Sequence, residues 1–277
     1  MFAGLILTLL LIPVRFQEPQ AQPQQGAPPQ APPYIERGQR QFNFYPGGKL
    51  EITLGVPGSL KIIGWKRGAV LVEIERIIRG LTEDQAKVLA TQFPLQLRWT
   101  QTTGTIRTAG PPPSMADTEI NLTIYVPKDR TDLKTQVLKG NLAVGAVNGW
   151  IEATLQEGSI ETGSLSGYFS AMTKAGDLKL EMAGKRWEGY GFTAVTQKGT
   201  VDLRLPAEYS AALQLETRSG ELTIDYPEQL VDGESVPLQA VVKKDARTLS
   251  ATVGAGGAPV RVMTFAGDVR LIRSQTP

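Results

Sequence analysis

The chain has 277 residues, 41% of them hydrophobic, which suffices for a sizeable core in one large domain or two small ones. Lys and Arg (29) nearly balance Asp and Glu (27), and a net charge of +2 supplies no field that would draw the protein onto nucleic acid or anionic lipid. Histidine and cysteine are both absent, which excludes Ser-His and Cys-His nucleophile pairs, imidazole or thiolate zinc sites, iron–sulfur ligation and thiol redox chemistry.

Residues 2–14 form an apolar run broken by Gly4, Thr8 and Pro13, a length that suits the apolar core of a secretory signal. As a helix the run would span about 20 Å, short of the roughly 30 Å hydrocarbon core, so the sequence predicts export (segment 1–16) and no stable membrane span in the mature domain. No Lys or Arg precedes the run, and Ala21 is the nearest small residue that could end a cleavage site. Residues 17–33 are dominated by Gln, Pro and Ala, a composition that cannot bury apolar surface, and they read as a disordered tether. The folded domain is expected over 34–277, with an opening α+β region at 34–110 and repeats over 115–277.

In the opening region a strand is predicted over 71–78 and another over 95–100. Between them Thr82 and Gln85 have the spacing of a capping box, Ala86, Leu89, Ala90 and Phe93 give one apolar face, and Pro94 ends the helix. An irregular loop over 109–114, with Pro111, Pro112 and Pro113, then leads to the repeats.

From residue 140 the glycines fall at 140, 149, 158, 167 and 176, spaced by nine. Two positions after each stands an apolar residue (Leu142, Ile151, Ile160, Phe169, Leu178), and three positions after it a mostly polar one (Ala143, Glu152, Glu161, Ser170, Lys179). That period of two describes short strands with one buried face. The Gly-x-apolar-x-apolar signature recurs at Gly48, Gly58, Gly199, Gly220 and Gly267, and Thr173, Thr196, Thr217 and Thr264 each precede a glycine by three. Glycine tolerates a positive φ and so makes the turn into each strand. Parallel stacking would join two units into a coil of roughly 18 residues, an all-β solenoid. Antiparallel pairing would give a meander in a sandwich or barrel instead. The uniform unit length favours the solenoid, with the one short helix near its start.

Several segments together resemble a bacterial family, the putative adhesins known as domain of unknown function 4097. They are Gly58-Ser59-Leu60-Lys61-Ile62-Ile63-Gly64-Trp65, the helix at 82–93, the strand over 120–126 ending in Pro127-Lys128, the Thr-x-x-Gly repeats, 201–206, and Gly254-Ala255-Gly256-Gly257 leading to Thr264-Phe265-Ala266-Gly267. The resemblance covers about 42–273. It implies an extracytoplasmic β-solenoid-like domain in or near the bacterial envelope and carries over no catalytic residue and no cofactor. The stretch 182–195, with Trp187 and Tyr190, departs from the nine-residue spacing.

Four aromatics are the candidate ligand or partner contacts: Trp150, Tyr168, Trp187 and Tyr190. Trp150 and Tyr168 each follow a repeat glycine and would lie one above the other in an 18-residue coil, where a stacked pair can grip a sugar ring or a partner chain, or cover the end of the core. Glu152 and Glu161 hold the same polar position in adjacent units, but a two-unit coil puts them on different sides, which suits a solvated face. Asp177, Asp202 and Asp268 lack the Asp-x-Asp-x-Asp-Gly pattern of a calcium loop. Gly254-Ala255-Gly256-Gly257 lacks the Lys-Ser and following helix of a phosphate cradle, and reads as a turn. Asn121-Leu122-Thr123 matches a glycosylation sequon within an apparent strand. These features describe a non-enzymatic envelope protein for adhesion, scaffolding or sensing, with an envelope protein or glycan as partner. The alternative is a carbohydrate-active β-helix enzyme using carboxylates.

Overall fold

The structure is a computed structural model that describes residues 32–108, 117–226, 229–231 and 234–274. The expected export segment (1–16), nearly all of the expected tether (17–33) and the Pro-rich loop lie outside the described residues. The chain opens with β1 (Tyr34–Asn43), β2 (Lys49–Leu54), β3 (Leu60–Trp65), β4 (Ala69–Ile78), helix α1 (Glu83–Gln92), β5 (Gln96–Trp99), β6 (Thr103–Thr108) and β7 (Thr118–Pro127). The middle comprises β8 (Asp132–Lys139), β9 (Leu142–Gly145), β10 (Val147–Glu157), β11 (Ile160–Thr162), β12 (Leu165–Ala175), β13 (Leu178–Glu181), β14 (Gly189–Lys198) and β15 (Val201–Leu205). Then follow β16 (Ala211–Thr217), β17 (Leu222–Asp225), the hairpin of β18 (Gln229–Val231) and β19 (Glu234–Val236), β20 (Val241–Lys243), β21 (Ala246–Val253), β22 (Pro259–Ala266) and β23 (Val269–Arg273).

Two large mixed sheets result, with no closed barrel. One has the order β1-β4-β7-β3-β9-β11-β13-β15-β23-β17, the other β20-β21-β16-β22-β14-β12-β10-β8-β2-β6-β5. Through the middle of the chain, successive strands alternate between the sheets and each pairs in parallel with the strand two places on. Glu161 and Lys179, which are 18 residues apart, are register partners, so two nine-residue units complete one turn of backbone. The antiparallel meander is therefore not formed here. In the two large sheets antiparallel pairs are confined to the margins, where β1 lies on β4 and β4 on β7, β5 on β6, and β20 on β21 and β21 on β16.

The period-two pattern now has a physical meaning. Ile151, Phe169 and Phe192 turn inward from one sheet, and Leu142, Ile160 and Leu178 from the other, and all six are buried in one continuous core. The Phe169 and Phe192 rings stack at 4.6 Å. Four buried threonines, Thr173, Thr196, Thr264 and Thr217, occupy successive rungs of the second sheet. Three of their hydroxyls donate to glycine carbonyls: Thr196 to Gly176, Thr264 to Gly199 and Thr217 to Gly267.

Helix α1 begins with the expected capping box, in which Gln85 N donates to Thr82 Oγ1 and Thr82 N to Gln85 Oε1. Ala86, Leu89 and Ala90 pack on Ile78. Arg76, 7% exposed, donates to the carbonyls of Ala90 and Phe93 and so satisfies orphan acceptors at the helix end. Gly254 to Gly257 make the turn between β21 and β22, and a strand follows them.

Candidate functional site

The site is built on the outer face of the eleven-stranded sheet. Gly149 and Gly167 bring neighbouring rungs close: a Cβ on Gly167 would stand 2.3 Å from the Gly149 carbonyl oxygen, and its φ is +96°. Because Ile151 and Phe169 point inward, the residues just before them, Trp150 and Tyr168, point outward. They are register partners. Their rings stack with centroids 3.9 Å apart and an interplanar angle of 25°.

Polar groups hold the pair in place. The main-chain N–H of Trp150 donates to Asp132 Oδ1 at 2.9 Å, and the indole Nε1 donates to Glu152 Oε1 at 2.9 Å. Lys134 is the register partner of both Glu152 and Glu51 on the rungs to either side. The hydrogen bond from Lys49, with further attraction from Lys134 and Arg107, holds the Glu51 carboxyl below the usual range. Trp150 remains 46% exposed. Elsewhere on this face Met172 is 50% exposed, and Phe265 lies under the Arg218 guanidinium at 4.7 Å.

The other two candidate aromatics do not join the pair. Trp187 is buried and not a contact residue, which corrects the expectation: its Nε1 donates to the Gly167 carbonyl and its ring meets Phe192 edge-on at 5.2 Å. The stretch 182–195 thus lengthens one turn of backbone to plug the core. Tyr190 is the extra residue of the register shift at Gly167/Tyr168, where Gly167 faces Gly189 and Tyr168 faces Gly191. The bulge leaves Tyr190 82% exposed.

The candidate acids are separated or engaged. Glu152 lies on β10 and Glu161 on β11, in different sheets, and Glu161 pairs with Lys179 at 2.8 Å. Asp202 pairs with Arg270 at 2.7 Å. Asp177 Oδ1 accepts from Thr200 N and Asp268 Oδ1 from Glu221 N, which ties successive rungs together at the turn. Asn121 Oδ1 does the same for Ser59, accepting from its N and Oγ, so the sequon's amide is a structural tie. This cross-rung use of the residues after the turn glycines that lead into the ten-stranded sheet escaped the sequence reading. The alternation of Asn141 with Ser159 and Asp177 with Thr200 was its signal.

No family model and no curated protein matches the chain. Among solved structures it is similar to a putative cell adhesion protein from Clostridium sporogenes, with 12% identity over 88% of this chain and 100% of that one, at a TM-score of 0.41. It is similar to a putative adhesin from Bacteroides fragilis, with 11% identity over 86% and 97%, at 0.37. A putative lipid binding protein from Parabacteroides distasonis aligns with 10% identity over 85% and 96%, at 0.23. Among the described residues no helix is long and apolar enough to cross a membrane.

Proposed function

We propose that this chain is a non-enzymatic, extracytoplasmic, adhesin-like protein: a β-solenoid of two-strand coils that displays the outer face of its eleven-stranded sheet as a contact surface. The leader (1–16) and tether (17–33) deliver the domain (34–277) to the cell envelope or beyond. The 18-residue register offset and the alternation of strands between sheets support the solenoid reading. The apolar run at 2–14 supports export.

The observation that carries the contact reading is the Trp150–Tyr168 stack. The two aromatic rings are stacked on each other, the indole is bonded to Glu152 and the Trp150 main chain to Asp132, yet Trp150 keeps 46% of its surface in solvent. Rigid, half-exposed aromatics contribute most at binding surfaces, because little conformational entropy is lost when a partner covers them. Separation of Glu152 and Glu161 on two sheets speaks against paired-carboxylate chemistry. The test compares the full chain with its Trp150→Ala/Tyr168→Ala variant in sedimentation with intact bacterial envelopes. Loss of co-sedimentation in the variant, with the melting midpoint lowered by less than about 6 °C, is expected. Equal co-sedimentation, or turnover of an envelope polysaccharide by the pure protein, would contradict the proposal.

A further inference from the structure

We infer that the open face of Trp150 is a binding platform for one pyranose ring of a neutral, β-linked glycan. This rests on the contact reading above and names its ligand class. Tyr168 covers one face of the indole at 3.9 Å. With that face covered and 46% of the residue still accessible, the exposed surface is the rim and the face turned toward the rung of Asp132. An aromatic face carries partial negative charge and attracts C–H bonds polarised by neighbouring hydroxyls. Gluco-configured β-pyranoses place their hydroxyls equatorially and their C–H bonds axially, so one flat C–H face meets the indole while the hydroxyls radiate outward.

The surroundings fit that radial demand. Asp132 and Glu152, both hydrogen-bonded to Trp150, provide carboxylate acceptors beside the platform, and Lys134, the register partner of Glu152, provides an ammonium donor. A hydroxyl-bearing ring can bond the remaining acceptor sites of these carboxylates, whereas an aromatic side chain in the same place would desolvate the charges without offering a hydrogen bond. The local balance also sets the ligand's charge. Glu51 is balanced by Lys49 and Arg107, and the two carboxylates that stand closest to the platform, Asp132 and Glu152, both hydrogen-bonded to Trp150, disfavour a uronate. Glu152 has a second task here: by accepting the indole N–H it fixes the ring rotation, so it is a positioning residue.

Cellohexaose and chitohexaose titrated into the full chain, followed by calorimetry and tryptophan fluorescence, test this. Saturable binding is expected with either sugar, at least tenfold weaker for oligogalacturonate of the same length. Trp150→Ala should lose at least tenfold, and Met172→Ala, on the same face but off the platform, should bind like wild type. Binding that survives Trp150→Ala with the variant still folded, or equal binding of the uronate, would overturn the inference. Absence of sugar binding in a chain whose Trp150/Tyr168 variant still fails to sediment with envelopes would also overturn it, while leaving the contact surface standing. Absence of both effects would remove the two together.

Discussion

Gly158 stands on Gly140 so closely that a Cβ on Gly158 would lie 1.7 Å from the Gly140 carbonyl oxygen. The same relation repeats along the stack, with Gly176 on Gly158 and Gly140 on Gly58. Gly158 also has a φ of +126°, so alanine there meets both backbone strain and a clash with main chain that cannot rotate away. Gly158→Ala should cost about 3 kcal/mol or more, lowering the melting midpoint by roughly 6–12 °C. Gly145, where a Cβ would meet nothing within 4 Å, should accept alanine with little change. Equal melting of the two variants would refute the close stacking.

The buried threonines separate a bonded hydroxyl from an unbonded one. Thr196 Oγ1 donates to the Gly176 carbonyl at 3.0 Å, whereas the Thr173 hydroxyl has no partner among the described residues. Thr196→Val should therefore destabilise by about 1–3 kcal/mol, and Thr173→Val should be neutral or stabilising. Urea unfolding of both variants decides it. A larger loss at Thr173 would contradict the assignment.

Strand phase predicts a further contrast. Ile160 is fully buried, while Glu161 next to it is exposed and ion-paired with Lys179. Ile160→Asp should cost several kcal/mol because a lone carboxylate would enter the core. Glu161→Lys should stay within about 1 kcal/mol, as exposed pairs contribute little. Similar melting temperatures for the two would overturn the face assignment.

Tyr209 is buried with its hydroxyl unpartnered among the described residues, and burial pushes its phenol well above the usual value. Tyr226, whose hydroxyl donates to the Pro206 carbonyl, is raised for the same reason. A phenol raised by burial leaves stability unaffected while both states stay protonated, and lowers it once the unfolded chain can ionise and the folded one cannot. Stability should accordingly hold up to about pH 10, the ordinary phenol value, and fall as pH rises through and beyond it. Tyr209→Phe should weaken that alkaline fall and be neutral or stabilising at pH 7. An unchanged alkaline profile would exclude Tyr209 as its source.

Much of this fold was legible from local signals. The nine-residue glycine period marked the units, the alternation after each glycine gave the inward face, and Thr82 with Gln85 marked the helix start. Order across the sheets was not legible. β2 and β3 sit between β6–β7 and β8–β9, and β22 and β23 between β14–β15 and β16–β17. Such insertions depend on long-range pairing, and three of the inserted strands, β2, β3 and β23, carry the same Gly-x-apolar-x-apolar signature as their neighbours, so the pattern cannot say which rung lies beside which. Trp187 was misplaced for a related reason. Its stretch breaks the period, and an aromatic in an irregular segment carries no phase to tell inside from outside. Trp150 and Tyr168 were legible because they lie within the period.

The contact role of Trp150 and Tyr168 is the central claim, and thermal melting of Trp150→Ala/Tyr168→Ala alongside envelope co-sedimentation tests it most directly. Ring stacking on a solvent-exposed face is worth about 0.5–1.5 kcal/mol, so the midpoint should fall by less than about 6 °C while binding is lost. A core role would cost roughly 3–5 kcal/mol per truncated ring. A fall of more than about 10 °C, or binding retained by the folded variant, would contradict the account.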